Sequence, residues 1–319
     1  MWHTSPMLNT LSKTIVIMGP TASGKSDLGL ALAKKYNGEI VSADSRQVYR
    51  GMDIGTGKVP RDNQQSTINK KRGPYFSEGI RHHLIDVASP KRNYNVTHFV
   101  RDAKRAIADI KKRGKTPIIC GGTGFWIQAL IEDSPFPAVK PNPALRQKLS
   151  KLSVETLFTE LEKKDPVRAK NIDPKNKIRL IRALEIVETL GKVPSLPKNQ
   201  ELRMKNQEFF ILALNPSQET LYENITTRLE KRIAQGMIAE VETLRADGIS
   251  WKRLESFGLE YKYIALFLQK KITLEVMKER LEFEIRHYAK RQLTWLRRFE
   301  KTIPLHWITT PEEAEKVIT

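Results

Sequence analysis

The chain is poor in cysteine: its 319 residues include one, Cys120. That excludes an internal disulfide and a zinc site built on several cysteine ligands. No apolar run approaches the roughly 18 residues of a membrane span. The first residues carry no basic segment followed by an apolar stretch, so no secretory leader is expected. These absences suit a reducing, cytoplasmic setting. Acidic residues are also in deficit, with 55 Lys and Arg against 36 Asp and Glu, a formal charge of +19. Such an excess predicts a polyanionic partner, nucleic acid or an anionic membrane surface, set against the plainer reading of solvated lysines. Apolar material is ample. Hydrophobic residues make up 39% of the chain, which excludes disorder and allows a large core. The length suits two domains, or one with an insertion.

The N-terminal third alternates strand and helix signals. Thr14–Met18, Glu39–Ala43, His83–Val87 and Pro117–Cys120 read as buried parallel strands. Helices are expected over Lys25–Tyr36, Val96–Arg113 and Gly124–Ile131. This alternation predicts a parallel sheet covered by helices on both faces. A proline-rich hinge follows, with Pro135, Pro137, Pro141 and Pro143. Only helical signals occur from there to about Leu190, one starting at Asp173 and Pro174 as cap and first residue. Phe209–Leu214 then reads as a strand returning to the sheet. Two long helices, Gln218–Ala246 and Leu274–Phe299, and a last strand, Ile303–Ile308, complete the pattern. Lys58–Phe76 reads as an irregular basic loop. The expected division is a core over 1–135, a helical insertion over 136–190 and the rest of the core over 191–319.

The first strand runs into Gly19, Pro20, Thr21, Ala22, Ser23, Gly24, Lys25 and Ser26, a match to G-x-x-x-x-G-K-[ST] between strand and helix. Glycines in such a turn point backbone N–H groups at phosphate oxygens, the lysine adds a point charge, and the Ser26 hydroxyl can ligate Mg2+. The fold class is therefore α/β, a P-loop NTPase-like parallel sheet flanked by helices, with a helical insertion. A kinase or ATPase would end a second apolar strand in an aspartate that holds the Mg2+ shell. Here Pro117–Cys120 runs into Gly121, Gly122, Thr123 and Gly124, with no carboxylate. Asp86 is a possible substitute, or a strand-end turn residue. Asp44 follows the second strand, at the strand end where α/β sites lie. It could be a general base or a helix cap. Asp53 reads as a turn residue. His82 and His83 point to opposite faces of a strand and read as structural.

Six segments in order, Gly19–Ser26, Asp44–Tyr49, Gly51–Thr56, His82–Asp86, Gly121–Thr123 and Lys290–Arg297, resemble the tRNA dimethylallyltransferase (tRNA isopentenyltransferase) family over about residues 14 to 300. The resemblance implies transfer of the dimethylallyl group of dimethylallyl diphosphate to N6 of adenosine 37, beside the anticodon of tRNA. The phosphate turn would then hold the diphosphate of an allylic donor, in keeping with the missing strand-end aspartate. Asp44 matches the family's catalytic carboxylate and Arg232 its diphosphate-binding arginine. Thr21 to Ser26 match the donor turn, and Thr123 a hydroxyl near the reaction centre. Contacts to the anticodon stem-loop would come from Asp44, Ser45, Arg46, Gln47, Thr123, Arg146 and the run Ile178, Arg179, Leu180, Ile181 and Arg182. In that run Ile178 stands where the family has Gln. A second departure lies at Gly258–Lys262, with two extra residues between Gly258 and Tyr261. A third puts Phe125 and Trp126 where Leu and Tyr are common. In the last long helix Arg286, Lys290 and Arg297 form a basic stripe for phosphate contact. Ile285, Tyr288, Gln292, Trp295 and Phe299 form a second stripe, read as core.

The default assembly is a monomer. Three other readings share parts of these signals: an adenylate isopentenyltransferase using free AMP or ATP, a P-loop nucleoside kinase, and an RNA-binding protein with a relict loop. The helical insertion and the charge disfavour the first, the absent strand-end carboxylate the second, and the intact Gly24, Lys25, Ser26 and Asp44 the third. Since a diphosphate needs few cations, most of the excess charge belongs with tRNA. Measured against salt, tRNA affinity is expected to fall steeply while donor affinity changes little. A flat tRNA response would return the charge to solvated surface.

Overall fold

The computed structural model describes residues 10–62, 73–133, 136–194 and 208–318. It divides into two compact units, Met1–Glu132 with Asn199–Thr319, and Asp133–Lys198.

The first unit carries a seven-stranded sheet in the order β3-β4-β2-β5-β1-β6-β7. In chain order its first elements are β1 (Thr14–Met18), α1 (Lys25–Lys35), β2 (Gly38–Ser42), β3 (Tyr75–Ser77), β4 (Ile80–His83), α2 (Val96–Lys112), β5 (Thr116–Cys120) and α3 (Gly124–Ile131). All neighbours pair in parallel except β3 and β4. The central strands are apolar throughout because both faces are covered: Ile15, Val16, Ile17, Ile118 and Ile119 are fully buried. Ile15, Ile17 and Ile118 pack with Leu28 and Leu32 of α1, each side chain contributing about 2 kcal/mol of apolar burial. On α2 and α3, Phe99 stacks on Trp126 with ring centroids 4.8 Å apart.

The second unit is helical: α4 (Pro143–Ser150), α5 (Val154–Lys164), α6 (Pro166–Lys170) and α7 (Lys177–Leu190). Leu157, Leu161, Leu180 and Leu184 form its core. The first unit then resumes with β6 (Phe209–Leu214), α8 (Gln218–Ala234), α9 (Met237–Ala246), α10 (Trp251–Ser256), α11 (Leu259–Leu268), α12 (Leu274–Phe299), β7 (His306–Ile308) and α13 (Pro311–Ile318). No helix among the described residues is long and apolar enough to cross a membrane.

Several expected elements differ. The strand expected at His83–Val87 lies earlier, at β4, because Leu84 and Asp86 take positive φ of 63° and 59° and turn the chain out of the sheet. The expected loop Lys58–Phe76 contains the start of β3, and its stretch 63–72 lies outside the described residues. The single helix expected over Gln218–Ala246 is two. Gly236 breaks it at φ 94°, a conformation glycine takes without strain. Asp173 and Pro174 do not start a helix. The Asp173 carboxylate accepts Lys175 N–H in a turn, and α7 starts three residues later on the Asn176 cap. The same cap-and-proline pair works instead at Asp165 and Pro166 of α6.

One carboxylate organises the second unit. Glu185 is 1% exposed, and it accepts from Arg146 Nε and Nη2 at 2.9 and 2.8 Å, from Asn142 N–H at 2.6 Å and from Arg182. Burial alone would raise its pKa, but these donors outweigh burial and bring it down to about 2. A carboxylate held low in this way stabilises the fold above its unfolded value and loses that contribution as pH falls toward its folded one. The second unit is therefore expected to loosen as pH drops from about 5 toward 2. Glu185→Gln should reproduce the effect at neutral pH, costing about 2 kcal/mol, with the half-exposed guanidinium partners moderating the loss. Hydrogen exchange of the α7 amides measures both, and unchanged protection would refute the role.

Candidate active site

The register of the sheet brings three strand ends together. Ile17 of β1 and Ser42 of β2 both lie level with Cys120 of β5. Ala43 N–H donates to Cys120 O at 2.8 Å, Gly121 N–H to Ile17 O at 3.2 Å, and Thr123 N–H to Ala43 O at 3.2 Å. A Cβ on Gly121 would overlap the Ala43 backbone, so only glycine lets the chain cross here. The phosphate turn, Asp44 and the second glycine turn thereby share one edge. Their cleft has a volume of about 1650 Å³, and its walls include Lys25, Ser26, Asp44, Gln47, Arg228 and Arg232.

The turn itself has an unusual backbone. Gly24 caps α1 with φ 83°, and Ala22 takes φ 62°. The Ser23 hydroxyl is buried with no hydrogen-bond partner. Lys25 Nζ donates to Pro20 O inside the turn. Burial lowers the Lys25 pKa to about 8, and Arg228 adds to the lowering. Cys120 accompanies it with Sγ 3.3 Å from Lys25 O, and burial pushes its thiol up to about 12, so it stays protonated.

Two arginines from α8 face this turn. Leu221, Ile225, Leu229 and Arg232 are the buried stripe of the helix, so Arg232 occupies a core position. Its Nη1 lies 3.2 Å from Glu260 Oε1 and 3.4 Å from Gly55 O. Arg228 sits one turn earlier on the same face. A Cβ on Gly57 would overlap both guanidinium groups, which shows that they converge there. Among the described residues Arg228 has no hydrogen-bond or ion-pair partner. Burial and the neighbouring Arg232 lower its pKa to about 10. The sequence reading picked out Arg232 and missed Arg228. The i, i+4 spacing of two arginines on a buried face was the available signal.

Asp44 is held as a turn cap, with Oδ1 accepting from Arg46 N–H at 2.8 Å and Gln47 N–H at 3.4 Å. Its other oxygen has no partner among the described residues. A second cavity, about 340 Å³, opens beside it and is lined by Arg46, Phe257 and Glu260 among others. Thr21, Asp44, Thr56, Arg232 and Tyr288 border both cavities. Burial raises the Tyr288 phenol above its usual range, so it remains a donor.

Other expected site residues play supporting parts here. Thr123 Oγ1 accepts Ser45 N–H at 3.0 Å and lies in the wall of neither cavity. Arg46 Nε donates to Phe257 O at 2.7 Å. Gln47 accepts from Ser42 Oγ at 2.9 Å and donates to Thr56 O and Gly57 O. Asp86 is not free to hold a metal: Lys58 Nζ lies 2.6 Å from its Oδ1 and 2.5 Å from Asp53 Oδ1. His82 is buried edge-on to Tyr75, while His83 pairs with Glu39 at 2.7 Å, so the two do not form a metal pair. Arg146 and Ile178–Arg182 belong to the second unit. Leu180 there is fully buried, so its side chain is core and unavailable to a ligand. Ile178 is 81% exposed, and Arg179 beside it is also exposed.

Gln292 was grouped with an apolar stripe of α12, and its position there is buried. Its amide nevertheless joins the two glycine turns: Oε1 accepts Thr21 N–H at 2.8 Å and Nε2 donates to Gly122 O at 2.8 Å. Trp295 packs over Gly124 and stacks on Phe299 at 4.9 Å but is only half-buried, and Tyr288 of the same stripe lines both cavities, so the stripe is core only in part. Gln292→Leu should strand two half-buried backbone groups, lower the unfolding free energy by about 1 kcal/mol and weaken inorganic diphosphate binding about tenfold. Denaturant unfolding and calorimetric titration check both, and unaltered affinity would contradict the clamp.

A family model described as IPP transferase matches residues 47–299, and one described as isopentenyl transferase matches 12–79. The chain is 40% identical over 317 residues to the tRNA dimethylallyltransferase of Carboxydothermus hydrogenoformans, covering 96% of each. It is 37% identical over 302 residues to that of Anoxybacillus flavithermus, covering 94% of this chain and 91% of the other. The structure of the full-length tRNA isopentenylpyrophosphate transferase of Bacillus halodurans superimposes with a TM-score of 0.64 at 33% identity, over 94% of this chain and 90% of that one. A eukaryotic dimethylallyltransferase acting on tRNA gives 0.75 at 27%, over 97% and 78%. With its phosphate turn, its strand-end carboxylate and this likeness along nearly its whole length, the chain belongs to the tRNA dimethylallyltransferase family.

Proposed function

We propose that this chain transfers the dimethylallyl group of dimethylallyl diphosphate to N6 of adenosine 37 in tRNA, releasing diphosphate. The observation that carries the reading is the placing of Asp44. Its carboxylate borders two cavities, one walled by Lys25, Arg228 and Arg232, the other lined with aromatic and polar groups suited to a base. The allylic C–O bond to diphosphate breaks and a bond forms between that carbon and N6. The amino proton passes to the unpartnered oxygen of Asp44, whose other oxygen is fixed by two backbone N–H groups. Lys25, Arg228 and Arg232 face the charge that develops on the leaving diphosphate. The partnerless Ser23 hydroxyl and the backbone of the turn suit its oxygens.

Mg2+ belongs to this reading at the same turn, where the Ser26 hydroxyl follows Lys25 in the wall of the cleft. No group of three His, Cys, Asp or Glu comes together among the described residues. Ser26 would hold the ion together with diphosphate oxygens. When bound, it would neutralise charge on the diphosphate. On the second unit, Ile178 and Arg179 are exposed, and Arg146 and Arg182 keep part of their guanidinium surface outward while sharing Glu185. These groups are offered to the anticodon stem-loop, and the basic stripe of α12 to other tRNA phosphates. A monomer working in the cytoplasm suits this reading. The kinase alternative finds no support, because Asp86 is engaged by Lys58.

The test is mass spectrometry of nucleosides from tRNA incubated with the protein and labelled dimethylallyl diphosphate. The modified adenosine should appear with the wild type. Asp44→Ala should cut the transfer rate by about 10²-fold or more, as removal of a general base does. Near-normal transfer by this variant would remove Asp44 from its role.

A further inference from the structure

The two residues that separate Gly258 from Tyr261 bring a partly buried carboxylate to the cation cluster. Gly258 caps α11 at φ 77°, and Leu259 follows at φ 35°, backbone that a leucine rarely adopts. Such geometry persists where its surroundings over-determine it. Here the next residue but one is the anchor. Tyr261 is 2% exposed, and its hydroxyl donates to Glu240 Oε1 at 2.8 Å. Glu240 in turn accepts the backbone N–H groups of Asp53, Ile54 and Gly55. Glu260 is thus held between a fixed tyrosine and a turned helix start, with Oε1 3.2 Å from Arg232 Nη1.

The geometry matters because of what stands on the two sides of Arg232. Glu260 lines only the smaller cavity, whereas Arg232 borders both. On the larger side Arg232 converges with Arg228, which has no carboxylate of its own among the described residues, and Lys25 lies in the same cleft. Burial pushes the Glu260 carboxyl up, and Arg232 and Arg228 oppose that shift. We propose that Glu260 is a positioning residue that sets how tightly the cleft holds diphosphate. By pairing with Arg232 it fixes the guanidinium and offsets one of three cations, so that diphosphate leaves after transfer instead of inhibiting the next turnover. This rests on the reading of the cleft as the diphosphate side.

The experiment titrates inorganic diphosphate into the full chain in Mg2+ buffer, alongside single-turnover and steady-state transfer to tRNA. Glu260→Gln keeps the shape and removes the charge. It should bind diphosphate about tenfold more tightly, the effect of one uncompensated charge at this range and partial burial. Its steady-state rate should fall by a larger factor than its single-turnover rate, because release and not transfer is slowed. A merely structural role predicts the opposite sign, since a loosened Arg232 binds diphosphate more weakly. Unchanged or weaker binding by folded Glu260→Gln overturns the proposal. Should that variant fail to fold, Glu260→Asp decides: the carboxylate, drawn back by one methylene, should still tighten binding about twofold, and no tightening overturns the proposal. Absence of transfer by the wild type would sink the underlying reading. Wild-type transfer with unaltered diphosphate affinity in the variants would sink this inference alone.

Discussion

Three cations share one cleft, and among the described residues only Arg232 of the three is ion-paired to a carboxylate. Lys25 at the start of α1 and Arg228 and Arg232 on α8 share the wall of one cleft, and burial of two of them already pulls their proton affinity down. Like charges gathered in a poorly solvated place are costly unless an anion completes the set. Much of the local structure answers that constraint. Gly57 leaves room for both guanidinium groups, the Gly55 carbonyl and Glu260 hold Arg232, and the Pro20 carbonyl holds the Lys25 ammonium. On the proposed reading, a diphosphate would supply what remains.

The placing of Asp44 depends on a different feature, the level ends of β1, β2 and β5. Parallel pairing in that register places the phosphate turn, Asp44 and the Gly121 turn at one edge of the sheet. The Gln292 amide from α12 then fixes the spacing between the two glycine turns with one accepted and one donated hydrogen bond. A residue more than 270 positions along the chain from the phosphate turn thus helps to shape it.

Much of this was legible beforehand, for physical reasons. Strands buried on both faces are apolar throughout, so β1, β5 and β6 stood out. A long helical pattern located α12, which runs over Leu274–Phe299. The phosphate turn is legible because its chemistry demands particular residues at particular spacings. The misread places are those where a local pattern had two outcomes. Asp173 with Pro174 and Asp165 with Pro166 look alike, yet only the second starts a helix. The continuous helical pattern over Gln218–Ala246 gave no sign of how sharply Gly236 would turn. Leu180 fell within a run associated with tRNA contact, but its helical phase put it in the core.

By itself the sequence determined the α/β class, the anion-binding turn, the helical insertion and, through its ordered motifs, the family. Those features are local in the chain or repeat with the period of a strand or helix. Tertiary structure decided which charges meet. That Arg228 joins Arg232, that Asp86 is engaged by Lys58, that Gln292 bridges two glycine turns and that Glu260 faces Arg232 all follow from helices packed against a sheet edge. Contacts between residues so far apart in the chain leave no trace in spacing.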